Sequence, residues 1–156
     1  IFAHSVTNPE RFGVVKFDNN FKALEIIEKP SKKVSEYAIT GLYFYDKNAV
    51  EHVKTLIPSK RGELEITDLN NIYIKENNLD VTILSRGMSW LDTGTFDSLH
   101  EASSLVRTLE HSQNLKICYP EEVAWRQKWI SNSQMKNLAK KQSHNNYGKY
   151  LLSLIN

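Results

Sequence analysis

Apolar positions in the first half of the chain fall into short runs rather than long stripes. Ile1 to Val6, Gly13 to Asp18, Ala23 to Glu28 and Ala38 to Tyr45 are rich in β-branched and aromatic residues. Asn-Pro, Asn-Asn and Pro-Ser steps punctuate them, so the pattern predicts four strands, with a hairpin about Asn19 and Asn20. After Asp46 the period lengthens. Ala49, Val50 and Val53 share one helical face and Pro58 closes that segment; Ile66, Leu69, Ile72 and Tyr73 recur at helical spacing within a predicted helix from Leu64 to Glu76. Leu79 to Leu84 predicts a further strand, leading through Arg86-Gly87 to Trp90-Leu91-Asp92. Thr95 is placed to cap a helix whose stripe Phe96, Leu99, Ala102, Val106 and Leu109 is of the kind that docks on a sheet. Beyond Cys118 only helical signals remain. Pro120-Glu121-Glu122 sets a proline and two acids in a first turn, and Trp125 to Ile155 predicts a small helical appendage.

Composition narrows the function classes. A chain of 156 residues with 40% apolar and 24% charged side chains suits one ordinary globular domain. A net charge of +2, spread along the chain, argues against dedicated nucleic-acid binding. Cys118 is the only cysteine, which excludes an intramolecular disulfide and points to a reducing compartment, the cytoplasm by default. No apolar run approaches the ~20 residues of a spanning helix, so no membrane partner is expected. The chain enters directly on Ile-Phe-Ala without Met, as in mid-strand, which predicts a fragment.

The chemistry-bearing positions are few. Asp92 follows an apolar run and precedes a helix, where a lone carboxylate could serve as one hard oxygen ligand to Mg²⁺, an ion that takes only one or two carboxylates and leaves its other positions to phosphate and water. Asp-Thr-Gly-Thr is equally good turn chemistry. Glu28 and Lys29 end a strand, where ligands gather in open α/β sheets, although Pro30 alone explains the stop. Arg61 precedes a helix, so its guanidinium and the helix amides could converge on an anion; an exposed loop arginine is the plainer reading. The six glycines, at 13, 41, 62, 87, 94 and 148, never cluster, so a phosphate-wrapping Gly-rich loop is absent from this sequence. Neither zinc-ligand spacing nor a nucleophile elbow occurs.

Several segments in one order and spacing carry a family resemblance: Asn8-Pro9-Glu10-Arg11-Phe12-Gly13-Val14-Val15, Glu28-Lys29-Pro30, Tyr37 to Asp46, Arg61-Gly62-Glu63-Leu64-Glu65-Ile66-Thr67-Asp68, Trp90 to Thr95, and Cys118-Tyr119-Pro120-Glu121-Glu122. From Ile1 to about Tyr150 the chain resembles the C-terminal half of the glucose-1-phosphate thymidylyltransferases. The resemblance implies an α/β fold: part of a Rossmann-like mixed sheet flanked by helices (1–112, the sugar-phosphate half) with a helical appendage (113–156) for assembly or regulation. It implies Mg²⁺ as cofactor, glucose 1-phosphate and dTTP or dTDP-glucose as small-molecule partners, and a homo-oligomer, tetrameric in relatives.

By the same resemblance Asp92 is a metal ligand, Lys29 and Arg61 bind the sugar phosphate, and Glu28 accepts from glucose hydroxyls. Gly13 and Ile39 offer backbone groups to the sugar, and Phe12 stands where relatives often carry Tyr. Arg86, Gly87, Glu121, Glu122 and Arg126 correspond to a separate regulatory nucleotide site. The Gly-rich loop, the thymine-reading residues and a second metal-binding Asp belong to the family's N-terminal half. Taken alone, these residues are therefore expected to be inactive toward dTTP and, with the strands before Glu28 lacking partners, to oligomerise through open edges. Two alternatives stay open: a sister nucleotidyltransferase using another base, and a non-catalytic sugar-phosphate-binding or assembly module.

Overall fold

The computed structural model describes residues 1–113 and 116–155, and these divide into two compact units, Ile1–Trp90 and Leu91–Asn156. The division falls before the expected boundary at 112/113 and sets the long helix beginning at Phe96 in the second unit.

The first unit is a five-stranded mixed sheet. Its strands are β1 (Phe2–Ser5), β2 (Gly13–Phe17), β3 (Ala23–Glu28), β4 (Tyr37–Ile39) and β5 (Thr82–Ile83), in the order β3-β2-β4-β1-β5. All neighbours are antiparallel except β1 and β5. The α/β mixed sheet is thus as expected, but two strands are shorter than their apolar runs. β4 ends at Ile39, six residues early, just before Gly41 takes a left-handed conformation at φ +79°. The run from Leu79 finds its partner only at Thr82 and Ile83, opposite Phe2 and Ala3.

The hairpin joining β2 to β3 is closed by Asp18, whose Oδ1 accepts from the amides of Asn20 and Lys22 at 2.8 and 2.9 Å. Phe21, not an asparagine, takes the left-handed residue of that turn, at φ 59°. Its ring compensates by meeting Phe17 and Tyr37 at centroid distances of 5.8 and 6.3 Å.

The expectation that the strands before Glu28 await partners is not met for β1 and β2, each of which is paired on both sides within the unit. β3 is an edge strand, and helix α2 (Ile66–Lys75) guards it. The Asn71 side chain accepts from Ile26 N–H at 2.8 Å and donates to Ile26 C=O at 2.7 Å. It does for one residue what a neighbouring strand would do. Replacing Asn71 by Ala strands both groups beside a side chain that is only 2% exposed. A loss of roughly 2–4 kcal/mol is expected, about 1–2 kcal/mol for each group left unmade, read as a lowered denaturation midpoint.

Ala3, Val15, Ala23, Ile26 and Ile39 form the core of this unit, with Ile74 of α2 packed against them. Helix α1 (Ala49–Thr55) forms where predicted but buries none of its residues; Val50 is 63% exposed.

The second unit is helical: α3 (Phe96–Gln113), α4 (Pro120–Arg126), α5 (Asn132–Lys141) and α6 (Asn146–Ser153). Thr95 caps α3, its hydroxyl accepting from Ser98 N–H at 3.1 Å. Among the described residues the expected α3 stripe does not form a core face: Ala102 is buried, but Phe96 is 94% and Leu99 50% exposed. Amphipathic spacing marks a face able to pack without saying what packs there. The tail is better satisfied. Met135, Ala139 and Leu151 are fully buried, with Tyr119, Trp125 and Tyr150 against them. Ser131 and Gln134 make a reciprocal capping box at the start of α5, and Asn145 caps α6 through Gly148 N–H at 3.0 Å. Within the predicted appendage 113–156 the described stretch 116–119 is non-helical, and short non-helical stretches join α4, α5 and α6; 114, 115 and 156 lie outside the described residues.

Candidate active site

The end of β3 and the loop before α2 build one concave site in the first unit. A cavity of about 480 Å³ is lined by Glu28, Lys29, Ser59, Arg61, Glu65 and Thr67, among others. Two of these residues, Glu28 and Thr67, also crowd Gly13 of β2. A methyl group there would lie 3.0 Å from Glu28 Oε2, from Ile39 Cδ1 and from Thr67 Cγ2, so any larger residue would require those side chains to shift. Four positions far apart in sequence, 13, 28, 39 and 67, thereby meet at one point.

Lys29 sits at φ 41°, a conformation rare for a residue with a side chain, and its amide is held by Phe12 C=O at 3.0 Å. Such local strain concentrates at functional sites. Phe12 packs edge-on against Trp90 at 5.1 Å, and Trp90 is fixed by its indole N–H donating to Thr40 C=O at 3.0 Å.

The electrostatics centre on Arg61. Its Nη2 lies 2.8 Å from Glu63, and its Nη1 lies 3.5 Å from Glu65 and 3.8 Å from Glu28. Burial, reinforced by the neighbouring Glu65 charge, pushes the Glu28 carboxyl above its ordinary value, against the opposing pull of Lys29 and Arg61. Burial and the Glu28 charge in turn raise the Tyr43 phenol. A carboxylate in this setting is a strong acceptor for hydroxyl groups, and the two cations suit an anion beside it.

Of the expected substrate residues, Gly13, Glu28, Lys29, Ile39 and Arg61 therefore come together, and Phe12 joins them through Lys29. Asp92 belongs to the second unit, half-buried, with its carboxylate oxygens 3.3 and 3.4 Å from where a side chain on Gly94 would begin. Among the described residues no group of three or more His, Cys, Asp or Glu is placed to hold a metal. A single carboxylate nonetheless fits Mg²⁺ when phosphate and water complete the shell.

The expected regulatory residues are split. Arg86 and Gly87 are exposed in the first unit, with Gly87 at φ +95°. Glu121, Glu122 and Arg126 adjoin one another on α4 of the second. There both acids have structural work: Tyr147 donates to Glu121, Tyr150 donates to Glu122 at 2.7 Å, and Arg126 pairs with Glu122 at 2.7 Å. The two tyrosine bonds tie α4 to α6. Burial first, then the bond to Glu121, raises the Tyr147 phenol above its ordinary range.

Sequence reading missed Ser59, Tyr43, Glu65 and Thr67 as site residues. Thr67 is marked only by the structure: it is polar yet only 2% exposed on a helix whose other buried positions include Leu69 and Tyr73.

The nucleotidyl transferase profile matches residues 1–108, more than half of the chain and all of this cavity. The chain belongs to the nucleotidyl transferase family. Among curated relatives, this nucleotidyl transferase chain is 55% identical over 155 residues to the glucose-1-phosphate thymidylyltransferase of Neisseria meningitidis serogroup A, covering 99% of this chain and 54% of that protein. It is 49% identical over 154 residues to the enzyme of that name from Xanthomonas campestris pv. campestris, covering 99% and 52%. A Bacillus anthracis crystal structure assigned as a glucose-1-phosphate thymidylyltransferase, in complex with sucrose, superposes with a TM-score of 0.61 at 47% identity, covering 68% of this chain and 42% of that one. The chain spans about half the length of the curated relatives it matches.

Proposed function

We propose that this chain supplies the sugar-phosphate-binding part of a glucose-1-phosphate thymidylyltransferase. In that reaction a phosphate oxygen of glucose 1-phosphate attacks the α-phosphorus of dTTP in line. The bond from the α-phosphorus to the bridging oxygen breaks, pyrophosphate leaves, and dTDP-glucose remains. Such chemistry rests on aligning two polyanions and neutralising their charge. Glu28 accepts from glucose hydroxyls, Gly13 and Ile39 offer backbone groups to the ring, and Lys29 and Arg61 hold the sugar phosphate. Asp92 would hold Mg²⁺, which supplies charge neutralisation at the phosphates.

The meeting of Glu28, Lys29 and Arg61 in one cavity, a hydroxyl acceptor beside two cations, with Gly13 packed against Glu28, Ile39 and Thr67, is the observation that carries this reading. The names of the relatives point to the same substrates. We further assign 1–112 to sugar-phosphate binding and 113–156 to assembly and regulation, with Arg86, Gly87, Glu121, Glu122 and Arg126 as a second nucleotide site. A cytoplasmic tetramer feeding dTDP-rhamnose and surface polysaccharide synthesis completes the proposal. The single cysteine suits a reducing compartment, and the tetramer and pathway rest on the family resemblance.

The test uses protein expressed from the whole reading frame. Calorimetric titration with glucose 1-phosphate should show binding that Arg61→Ala weakens about tenfold to a hundredfold, the worth of a charge-assisted hydrogen bond. Mg²⁺-dependent pyrophosphate release from dTTP and glucose 1-phosphate should accompany it. Binding indifferent to Arg61, or no pyrophosphate release, sinks the assignment.

A further inference from the structure

We propose that Glu63 is a built-in competitor for the sugar phosphate, parked on the outer arm of Arg61 and displaced when the substrate binds. The inference rests on the function assigned above to Arg61.

The two arms of the guanidinium are held differently. Nη1 faces Glu65 at 3.5 Å and Glu28 at 3.8 Å, whose side chains are 12% and 25% exposed. Glu65 is fixed in turn, because the Ser59 hydroxyl donates to its Oε1 at 2.7 Å while accepting Arg61 N–H at 3.1 Å. Ser59 N–H donates to Glu63 C=O at 2.8 Å, and Gly62, at φ +77°, donates to Ser59 C=O at 2.8 Å. That closed loop fixes the Glu63 backbone next to Arg61. The Glu63 side chain, by contrast, is 60% exposed, and its single short contact, 2.8 Å, is to the solvent-side Nη2.

An anion arriving from solvent therefore meets an arm already carrying a carboxylate. The cavity walls carry four acids, Glu25, Glu28, Glu65 and Asp68, against the three cations Lys29, Lys60 and Arg61. A phosphate dianion entering this field must replace a negative charge, not add to one. Glu63 is the group that can leave, since its side chain is exposed and its one short contact is to Nη2 itself. In the empty site it keeps the guanidinium in the orientation that a bidentate oxyanion needs; in the loaded site it yields that orientation to the phosphate.

Glu63→Gln removes the competing charge and keeps the shape. In protein from the whole reading frame, glucose 1-phosphate should bind roughly twofold to fivefold tighter to this variant than to the wild type, the range set by an exposed ion pair. Glucose, which lacks the phosphate, should bind both alike. Glu63→Asp, which keeps the charge, should stay close to the wild type, and the gain should shrink at high salt. Unchanged or weaker glucose 1-phosphate binding in Glu63→Gln, with a wild type that binds normally, overturns the proposal and leaves the assigned function standing. A gain equal for glucose and glucose 1-phosphate overturns it too. No binding of glucose 1-phosphate by the wild type removes the functional reading and this inference together.

Discussion

Asp92→Ala is expected to lower turnover of dTTP and glucose 1-phosphate by on the order of a hundredfold or more while leaving glucose 1-phosphate binding within a few-fold of wild type. The size follows from the several kcal/mol of transition-state charge stabilisation that a bound divalent cation supplies. The split follows from the roles proposed: hydroxyl and phosphate contacts are assigned to Glu28, Lys29 and Arg61, and the metal to Asp92. Steady-state kinetics across a Mg²⁺ titration, paired with calorimetry of sugar phosphate binding, checks both halves. A raised Mg²⁺ requirement is the mark of a lost metal ligand. Near-normal turnover at low Mg²⁺ would take Asp92 out of the site, and loss of sugar phosphate binding as well would give it a different role.

The second large effect is on stability. Gly148→Ala should cost the helical unit about 3 kcal/mol or more, the upper end of what overpacking does. A methyl group at this position would lie 2.2 Å from Gln142 C=O oxygen and 2.7 Å from Ala139 C=O oxygen. Both are backbone atoms at the end of α5, so no rotamer change relieves the clash. α6 would have to lift away from α5, opening the Met135, Ala139 and Leu151 core and the Asn145 cap that Gly148 N–H completes. For a unit of this size a loss of about 3 kcal/mol lowers the melting midpoint by roughly 12–24 °C. Thermal denaturation followed by circular dichroism reads it directly, and a shift under a few degrees would mean that the helices repack without strain. Glycine at 148 looks unremarkable in the sequence, midway through a polar stretch; only the close helix crossing gives it this weight.

Much of the local structure was legible in advance. The β3 run Ala23 to Glu28 matched residue for residue, Thr95 capped its helix, and the Asn19–Asn20 region turned. Those features depend on nearest neighbours: side-chain shape, capping oxygens and turn residues act within a few positions. The candidate site was legible in a different way. Glu28, Lys29 and Arg61 each had a bland reading as surface charge when taken singly, and only the set of motifs in register gave them a shared purpose. What could not be read was extent and partnership. β4 stopped at Ile39, and the α3 stripe stayed exposed at Phe96 and Leu99, because an apolar run says that a residue can be buried and not what buries it.

By itself, then, the sequence determined the order and type of the elements and the chemistry on offer at strand and helix ends, since propensity and periodicity are local. Tertiary structure alone decided which of those groups meet. Gly13 is tightly placed because Glu28, Ile39 and Thr67 crowd it from three other elements, Asn71 matters because β3 has an open edge, and Arg61 is restrained because three carboxylates surround it. Contacts between residues tens of positions apart depend on how the sheet pairs and the helices dock, and no single stretch of chain encodes that.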